Sequence, residues 1–503
     1  MMTKSALIGS TPIALLFSAV AAFADVTPEE VWGNWMAAAE QGGTGITAAS
    51  EERDGDTLVI TGISMASSAD PAVATEGLIE EIRLKDLGDG TVEITMSDSY
   101  SMVVTTPAVD GTEPPIAQTV AISISAPGAV TIASGTPDAV AYDFTLPSVE
   151  ATMATNADGA NPVNFTVSAV NASGSYLVEG TDQLSSSGDY AFESLSLAAK
   201  GKDLDAGQDV EMTAAIGDVA GTFDATLLDP AMMEDMAAAL EAGFAFAFDT
   251  SYGATSFTLN VVEAGSPTSI SGGLDSGSIT VGMDSTAFVY ETGSKGLNVT
   301  VSSADIPFPE VKLALGEGAF GLSMPTTPTE EPADFSFLAK LVDLSISEEI
   351  WGMLDPGGAI PHDPATVILD SKGTARLTSD LFAAETIATN APPGELLSFD
   401  LTQLLAKIAG AELTGTGALT FDNTDLTTFS GVPAPTGKVD LQVKGVNKLM
   451  DTLIAMGLLS EDDAMSARMM LSMFANPGAG EDEFTSVLEF KDKGFYANGQ
   501  RLQ

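Results

Sequence analysis

Residues 140–144 read Val140-Ala141-Tyr142-Asp143-Phe144, and this run decides the fold class. Larger apolar side chains alternate along it with small or polar ones, which places the two sets on opposite faces of a β-strand. The same period of two recurs in 120–124, 165–167 and 190–192, with Gly, Asp, Asn and Pro between the runs. Short alternating runs separated by turn residues predict antiparallel hairpins with one wet face.

Helices are expected to interrupt this β pattern at five places, where apolar residues recur at i, i+3, i+4 and i+7. Capping residues mark their starts, or a glycine marks their ends. The predicted helices run from Pro28 to Gly42, from Asp229-Pro230 to Gly243, from Asp400 to Ala409, from Val446 to Met456, and from the cap Ser460 to Phe474. The fold is therefore predicted to be mainly β with some α: elongated or curved antiparallel sheets with about five covering helices.

The charge balance restricts the partners of the chain. Its 503 residues include 19 Lys and Arg against 70 Asp and Glu, a formal net charge of −51. Nucleic acids need a cationic face that releases counterions, so we predict no nucleic acid partner, and anionic lipid surfaces are disfavoured for the same reason. With no Cys and one His, disulfides, thiolate zinc sites, Cys nucleophiles and poly-His metal sites are excluded.

The N-terminus has the order of a secretory signal peptide. Met1-Met2-Thr3-Lys4 is a charged start, an apolar stretch covers 6–23, and Ala22-Phe23-Ala24 is a small-x-small cleavage site. We predict that 1–24 is a signal peptide, cleaved after Ala24, and that the mature chain is periplasmic. No later segment approaches the roughly 18 apolar residues of a spanning helix, so no transmembrane anchor is expected in the mature chain.

Composition divides the mature chain in two. The Pro-rich run Pro325-Thr326-Thr327-Pro328-Thr329-Glu330-Glu331-Pro332 is the best linker candidate. We predict a β-rich N-terminal region over 25–325, a linker-like loop over 326–336, and an α+β C-terminal region over 337–503 that is either separate or continuous with the first. A Pro-started helix followed by hairpins occurs near 28 and again near 230, which suggests an internal duplication.

Motifs for covalent catalysis are absent from the sequence. It has no G-x-S-x-G elbow, and no lysine follows a serine by three positions. His362, in Pro361-His362-Asp363-Pro364, is either a general base oriented by a carboxylate or a turn residue whose ring caps a backbone group. The flanking prolines favour the turn residue, on an extended surface loop. We predict no catalytic and no cofactor-binding residues.

Calcium is the ion that suits an oxygen-rich chain. The candidate ligand runs are Gly88-Asp89-Gly90 and Asp422-Asn423-Thr424-Asp425. Neither has the spacing of a calcium loop, so both are predicted to be tight turns, and no metal ligands are predicted.

Four methionines lie at helical spacing near the C-terminus: Met465, Met469, Met470 and Met473. Such a stripe fits a pliable groove for a partner as well as core packing. Core packing is the prediction, because amphipathic helices beside sheets normally bury that face.

Several short motifs carry a family resemblance. They are Trp351-Gly352-Met353-Leu354-Asp355-Pro356-Gly357-Gly358, Asp363-Pro364-Ala365, Gly417-Ala418-Leu419-Thr420-Phe421, Thr485-Ser486-Val487-Leu488-Glu489-Phe490 and Asn498-Gly499-Gln500-Arg501-Leu502. On these motifs the C-terminal third resembles domain-of-unknown-function family 2125, an uncharacterised alphaproteobacterial exported family. The start, 24–32, looks like that family too. The resemblance implies no activity and no site residues. The tail is also similar to periplasmic proteins of the long-groove, lipid-handling kind, a likeness of fold alone.

These observations favour a non-enzymatic function. The leading hypothesis is an exported cell-envelope protein that binds an apolar ligand or a partner along a sheet groove, with a lipid or an envelope protein as partner and no cofactor. A structural or surface-layer-like component is the alternative, because an acidic, Thr-rich exterior without Cys suits it as well. A hydrolase that uses carboxylates alone is the third hypothesis.

Overall fold

The computed structural model describes residues 25–41, 43–67, 74–106, 118–156, 164–180, 183–202, 208–228, 232–233, 235–263, 266–383, 386 and 392–503. Of these residues, strand accounts for 65% and helix for 12%, and the strands form one large antiparallel sheet. The prediction of a mainly β fold with some α is confirmed. The predicted signal peptide and the predicted helix start at Asp229-Pro230 lie outside the described residues.

The strands, numbered in chain order, have the following bounds. They are β1 Thr44–Thr47, β2 Ser50–Asp54, β3 Thr57–Ser67, β4 Ala74–Asp86, β5 Val92–Met96, β6 Ser99–Thr106, β7 Gln118–Ser125, β8 Val130–Thr136, β9 Ala139–Asn156, β10 Asn164–Glu179, β11 Leu184–Lys202, β12 Asp209–Leu227, β13 Phe246–Tyr252, β14 Thr255–Glu263, β15 Ser266–Leu274, β16 Ser276–Met283, β17 Ala287–Ser303, β18 Val311–Pro325, β19 Ala333–Ile346, β20 Ala365–Leu377, β21 Gly394–Ile408, β22 Ala411–Asp422, β23 Ala434–Lys444, β24 Asn476–Pro477, β25 Glu483–Lys491, β26 Gly494–Ala497 and β27 Gln500–Arg501.

Within the described residues the helices are α1 Pro28–Gln41, α2 Met236–Glu241, α3 Glu348–Leu354, α4 Val446–Ala455 and α5 Glu461–Phe474. Thr27 and Glu30 form a capping box at the start of α1, and the Ser460 hydroxyl accepts the N–H of Asp463 at the start of α5. The sequence prediction missed α3.

The predicted helix from Asp400 to Ala409 is wrong, because residues 400–408 belong to β21 and Ala409 begins the turn after it. Its apolar residues have helical spacing for a different reason. The register of β21 against β22 shifts between Leu401 and Leu404, at a β-bulge. A bulge changes the phase of the side-chain alternation. The leucines on either side of it are therefore three residues apart in sequence, as they would be in a helix.

Most strands pair with their neighbours in sequence, but several rows of the sheet are built from two short strands end to end, as β1 and β2 are where both pair with β3. β4 pairs with β5 and β6, which pair with β8 and β7, which both pair with β9. The same order recurs later: β12, then β13 and β14, then β16 and β15, then β17. At about 4.8 Å per row, some twenty rows extend over about 90 Å across the strands.

The helices do not occupy equivalent places in this repeated order. α1 precedes β1, whereas α2 lies between β12 and β13. The duplication that was predicted from helices near 28 and 230 stays a prediction. Residues 326–332 form the connection from β18 to β19, and these two strands pair with each other, so the sheet is continuous across the Pro-rich run.

One buried cluster forms where α1 packs on the N-terminal strands. It contains Val31 and Trp32 of α1 together with Ile60, Ile82 and Leu84 of β3 and β4, and it reaches β9. The Trp32 indole N–H donates to Glu51 Oε1 at 3.1 Å. Trp32, which is 3% exposed, anchors the packing of α1 on the sheet.

Candidate functional site: a creased apolar groove

A line of irregular backbone positions crosses the sheet from β3 to β19, and we call it the crease. At each position a strand ends, or the ladder of opposed residues skips a pair. In spatial order the crease consists of Gly62, Glu80, the β5–β6 junction, the β7–β8 junction, Pro147, Asn171, Glu193, Asp218, Gly253, Asp275, Gly296, Gly316 and Asp343. It divides the strands into a first flank, which contains Tyr142, and a second flank, which contains Phe165.

Five positions of this crease have left-handed backbone. Gly62, Asn171, Asp218, Gly296 and Asp343 have φ values of 60°, 48°, 49°, 68° and 56°. Only glycine visits this region freely, and Asn and Asp tolerate it better than other residues, which explains the residue types at these positions. Crease residues also contact one another: Asn171 donates a hydrogen bond to Glu193, and the Cβ of Asp343 lies next to Gly316.

The alternation of apolar residues changes phase at the crease. In β17 they are Phe288 and Tyr290 on the first flank and Leu297, Val299 and Val301 on the second, with Gly296 at the change. In an uninterrupted strand such a change would move the apolar side chains to the other face. The left-handed residue compensates for it, so that both flanks keep their apolar side chains on one face, which we call the inner face.

Side-chain contacts show that the inner faces of both flanks converge. The N-terminal buried cluster contains Ile60 from the first flank and Ile63 from the second, on either side of Gly62. At β18, a Cβ on Gly318 of the first flank would lie 3.0 Å from Leu315 Cδ2 of the second. The creased sheet therefore has the cross-section of an open gutter, with the apolar face inside.

The inner row of the first flank is apolar across most of the sheet. This inner row consists of directly opposed residues in adjacent strands from β5 to β25: Val92, Ala133, Tyr142, Tyr176, Gly188, Phe223, Phe248, Val281, Tyr290, Leu322, Phe337, Ser371, Leu401, Gly417, Val439 and Leu488. None of these residues is charged. Phe248, Ile279 and Phe320 on this flank remain 44%, 39% and 37% exposed.

The second flank has an equivalent inner row. It consists of Ile46, Met65, Gly77, Met102, Ile122, Met153, Phe165, Ala199, Met212, Leu259, Ile270, Val301 and Val311. A row on the outer face of this flank consists of Ser101, Ser123, Thr152, Thr166, Ala198, Thr213, Thr258, Ser271 and Thr300. The two faces of one sheet therefore differ almost completely in polarity.

Aromatic rings lie over glycines along the inner face. A Cβ on Gly174 would meet the ring of Phe144 at 2.9 Å, and one on Gly373 would meet Phe335 at 2.6 Å. Tyr190 lies over Gly221 in the same way. These residues are direct cross-strand pairs. Each ring covers the backbone of the neighbouring strand, so that the gutter has a smooth apolar lining.

A cavity of about 690 Å³ lies where α1 covers the inner face at one end of this gutter. Trp35 forms one wall, and Tyr142 and Tyr176 form another, with the two tyrosine rings 4.9 Å apart and stacked. Burial raises the pKa of Tyr142 to about 12 and raises the pKa of Tyr176. Both hydroxyls are therefore neutral at physiological pH. The volume is in the usual range of small-molecule sites.

His362 does not cap a backbone group, contrary to the prediction. Its ring stacks on Trp351 of α3 at 4.3 Å, and its Nδ1 lies 3.1 Å from Glu348 Oε2. Its Nε2 is 3.7 Å from Asp355 Oδ2. The N–H groups of Ile360 and Ala359 hold the pKa of Asp355 below its usual range. These contacts fix the loop against α3.

The two predicted tight turns use their carboxylates within the turn. Asp89 Oδ1 accepts the N–H and the hydroxyl of Thr91, and Asp422 Oδ1 accepts the same two groups of Thr424. Asp425 in addition binds Lys493 Nζ at 2.8 Å. Among the described residues, no three Asp, Glu or His side chains are grouped as metal ligands.

The prediction that the methionine stripe packs into the core is wrong. Met465, Met469, Met470 and Met473 of α5 are 68%, 63%, 59% and 53% exposed. Only Ala464 of this helix is buried. The helix packs against α4 rather than across the sheet, so its apolar side faces solvent. None of the described helices is both long enough and apolar enough to cross a bilayer.

Comparison with known proteins finds a family match in the C-terminal half of the chain. Residues 254–499 match the family model of DUF2125, described as an uncharacterized protein conserved in bacteria. This part of the chain, slightly less than half of the 503 residues, is similar to that family. The DUF2125 part begins at the crease between β13 and β14 and includes α3 to α5; the start of the chain, which also resembled the family, lies outside the match. No curated protein and no solved structure matches the chain.

Proposed function

We propose that this chain is an exported envelope protein that binds elongated apolar ligands, such as the acyl chains of lipids, along the inner face of its creased sheet. One observation carries the proposal: the two inner rows are free of charge over many consecutive strands, and residues such as Phe248 remain exposed there. Soluble monomers rarely expose continuous apolar surfaces of this size unless they bind something. The signal-peptide pattern of 1–24 supports the exported location.

The affinity for such ligands is expected to grow with chain length. Each methylene removed from water contributes about 0.8 kcal/mol, or roughly a fourfold gain in affinity. Titration of the purified protein with neutral alkyl maltosides of increasing length, below their micelle concentrations, measures this slope. Native mass spectrometry of the protein purified from the periplasm is expected to show bound lipid as well.

A pair of matched variants places the ligand on the inner face. Ile279 is an inner residue and is 39% exposed, whereas Val262 lies on the outer face and is 38% exposed. Ile279→Lys puts an ammonium beneath the bound chain, where it loses water, and we expect at least a tenfold loss of affinity. Val262→Lys adds the same charge and should bind like the wild type. A protein that is purified empty and shows no dependence on chain length contradicts the proposal.

A further inference from the structure

The cavity under α1 has an unusual combination of linings. Its walls are the aromatic rings of Trp35, Tyr142 and Tyr176, and the charged side chains among its described lining residues are Glu40 and Asp138, which are exposed and which we take as its mouth. The amide of Asn34 is already engaged, because its Nδ2 donates to the carbonyl of Pro137 at 2.8 Å. Among the lining residues that the structure describes, none is a lysine or an arginine.

We propose that this cavity binds the headgroup of a cationic amphiphile, with an alkylammonium group between the aromatic walls and the two carboxylates. The inference rests on the proposed function, because the apolar tail of the amphiphile would lie in the gutter that begins at Tyr142 and Tyr176. It adds the class of headgroup, which the apolar rows alone do not specify.

Three features of the cavity favour a cation. Aromatic faces attract alkylammonium groups through their quadrupoles, and this is a common way to bind quaternary ammonium ligands. Glu40 and Asp138 add two negative charges at the mouth. The net charge of −51 gives the whole molecule a field that concentrates cations and repels anionic headgroups.

The tyrosines strengthen the argument because they stay neutral. Tyrosine is neutral at pH 7 even with its ordinary pKa near 10, and burial, which raises the pKa of Tyr142 to about 12, keeps this ring neutral in alkaline solution as well. The wall therefore attracts an alkylammonium group without the cost of burying an anion. Trp35 lies 6.3 Å from Tyr142, ring centroid to ring centroid, and faces the cavity from α1.

Three probes with the same decyl chain test the proposal: decyltrimethylammonium, decyl maltoside and decyl sulfate, each titrated below its micelle concentration at low salt. We expect the cation to bind about tenfold more tightly than the maltoside, and the sulfate more weakly than both. Trp35→Leu, which removes one aromatic wall, is expected to reduce the affinity for the cation more than the affinity for the maltoside.

Charge variants separate the cavity from the overall field. Glu40→Gln with Asp138→Asn removes the two carboxylates at the mouth and should abolish the tenfold preference, with maltoside binding unchanged. Asp143→Asn with Asp189→Asn removes two exposed charges from the outer face, behind Tyr142 and Gly188, and should keep the preference.

Each other outcome overturns the inference. If both double variants lose the preference for the cation over the maltoside equally, the net charge of the protein, not the cavity, sets that preference. Equal binding of the cation and the maltoside to the wild type overturns the cationic headgroup but leaves the proposed function standing. If none of the three probes binds, the proposed function fails with it.

Discussion

Replacement of Gly296 by alanine tests whether the crease depends on its left-handed residues. Gly296 has φ of 68°, and a Cβ there would lie 2.1 Å from Asp275 Oδ2. Left-handed backbone costs an L-residue about 1–2 kcal/mol, and displacement of the Asp275 carboxylate adds to it. We expect the free energy of local opening in β16 to β18 to fall by about 2 kcal/mol in Gly296→Ala.

Hydrogen exchange measured by mass spectrometry suits this test, because a sheet of this length is not expected to unfold in one two-state step. A change of about 2 kcal/mol corresponds to roughly 30-fold faster exchange in peptides from β16 to β18. Gly55→Ala is the control for backbone strain alone: φ is 64°, and a Cβ there would have no other side chain or backbone atom within 4 Å. It should cost about 1 kcal/mol, confined to β2 and β3.

Gly296→Asn separates the two contributions. Asparagine tolerates left-handed backbone, as Asn171 does elsewhere in the crease. This variant therefore keeps the steric clash of the Cβ with Asp275 but reduces the backbone strain. It should exchange more slowly than Gly296→Ala. Wild-type exchange rates in Gly296→Ala would refute the reasoning, because they would mean that β17 does not need left-handed backbone at this position.

Three further predictions concern single side chains. Trp32→Ala should destabilise the N-terminal cluster by about 3–5 kcal/mol, measured as faster exchange in β3 and β4, and a loss below about 1 kcal/mol contradicts its place in the core. Burial raises the pKa of Tyr142 to about 12 from the usual 10, so the stability that its neutral form contributes is complete below pH 10 and is lost as the pH rises through 12. Ultraviolet titration should therefore show one of the seven tyrosines ionising near pH 12, and Tyr142→Phe should lack that step. Met469→Ala should change the free energy of local opening of α5, measured by hydrogen exchange, by less than about 0.5 kcal/mol, because the side chain is exposed. A loss of about 2 kcal/mol or more would restore the core prediction.

The strands were predictable because their alternation is strong and local. The crease was not predictable, because a Gly, Asp or Asn between two short alternating runs looks in the sequence like a hairpin turn. Ala287 to Tyr290 and Leu297 to Val301 read as two strands out of phase, yet β17 runs through both. A phase change like that at Gly296 occurs in strand after strand where each crosses the crease. This repetition is the signal that could have been found. It needs the cross-strand register, which a single sequence does not contain.

The helices show the same limit. α4 and α5 were predictable from their periodicity and from the Ser460 cap, which act within a few residues. Asp400 to Ala409 has the same periodicity, but bulged pairing with β20 and β22 overrides it. Whether the α5 methionines are buried or exposed depends on what packs against the helix. Distant parts of the chain decide this too, so the sequence pattern alone predicted core packing wrongly.

The outer face of the first flank shows how so much negative charge is accommodated. One row reads Asp143, Ser175, Asp189, Thr222, Asp249, Thr280 and Glu291 in successive strands. The acids occupy every second strand, so their backbones are about 10 Å apart, near the screening length in 0.1 M salt. The hydroxyls between them donate hydrogen bonds to carboxylates, as Ser175 does to Asp189 and Thr280 to Asp249. Directly opposed carboxylates, which would destabilise the sheet, are thereby avoided along this row. The net charge of −51 also makes two molecules repel each other, which opposes the association that an uncovered apolar inner face would otherwise promote.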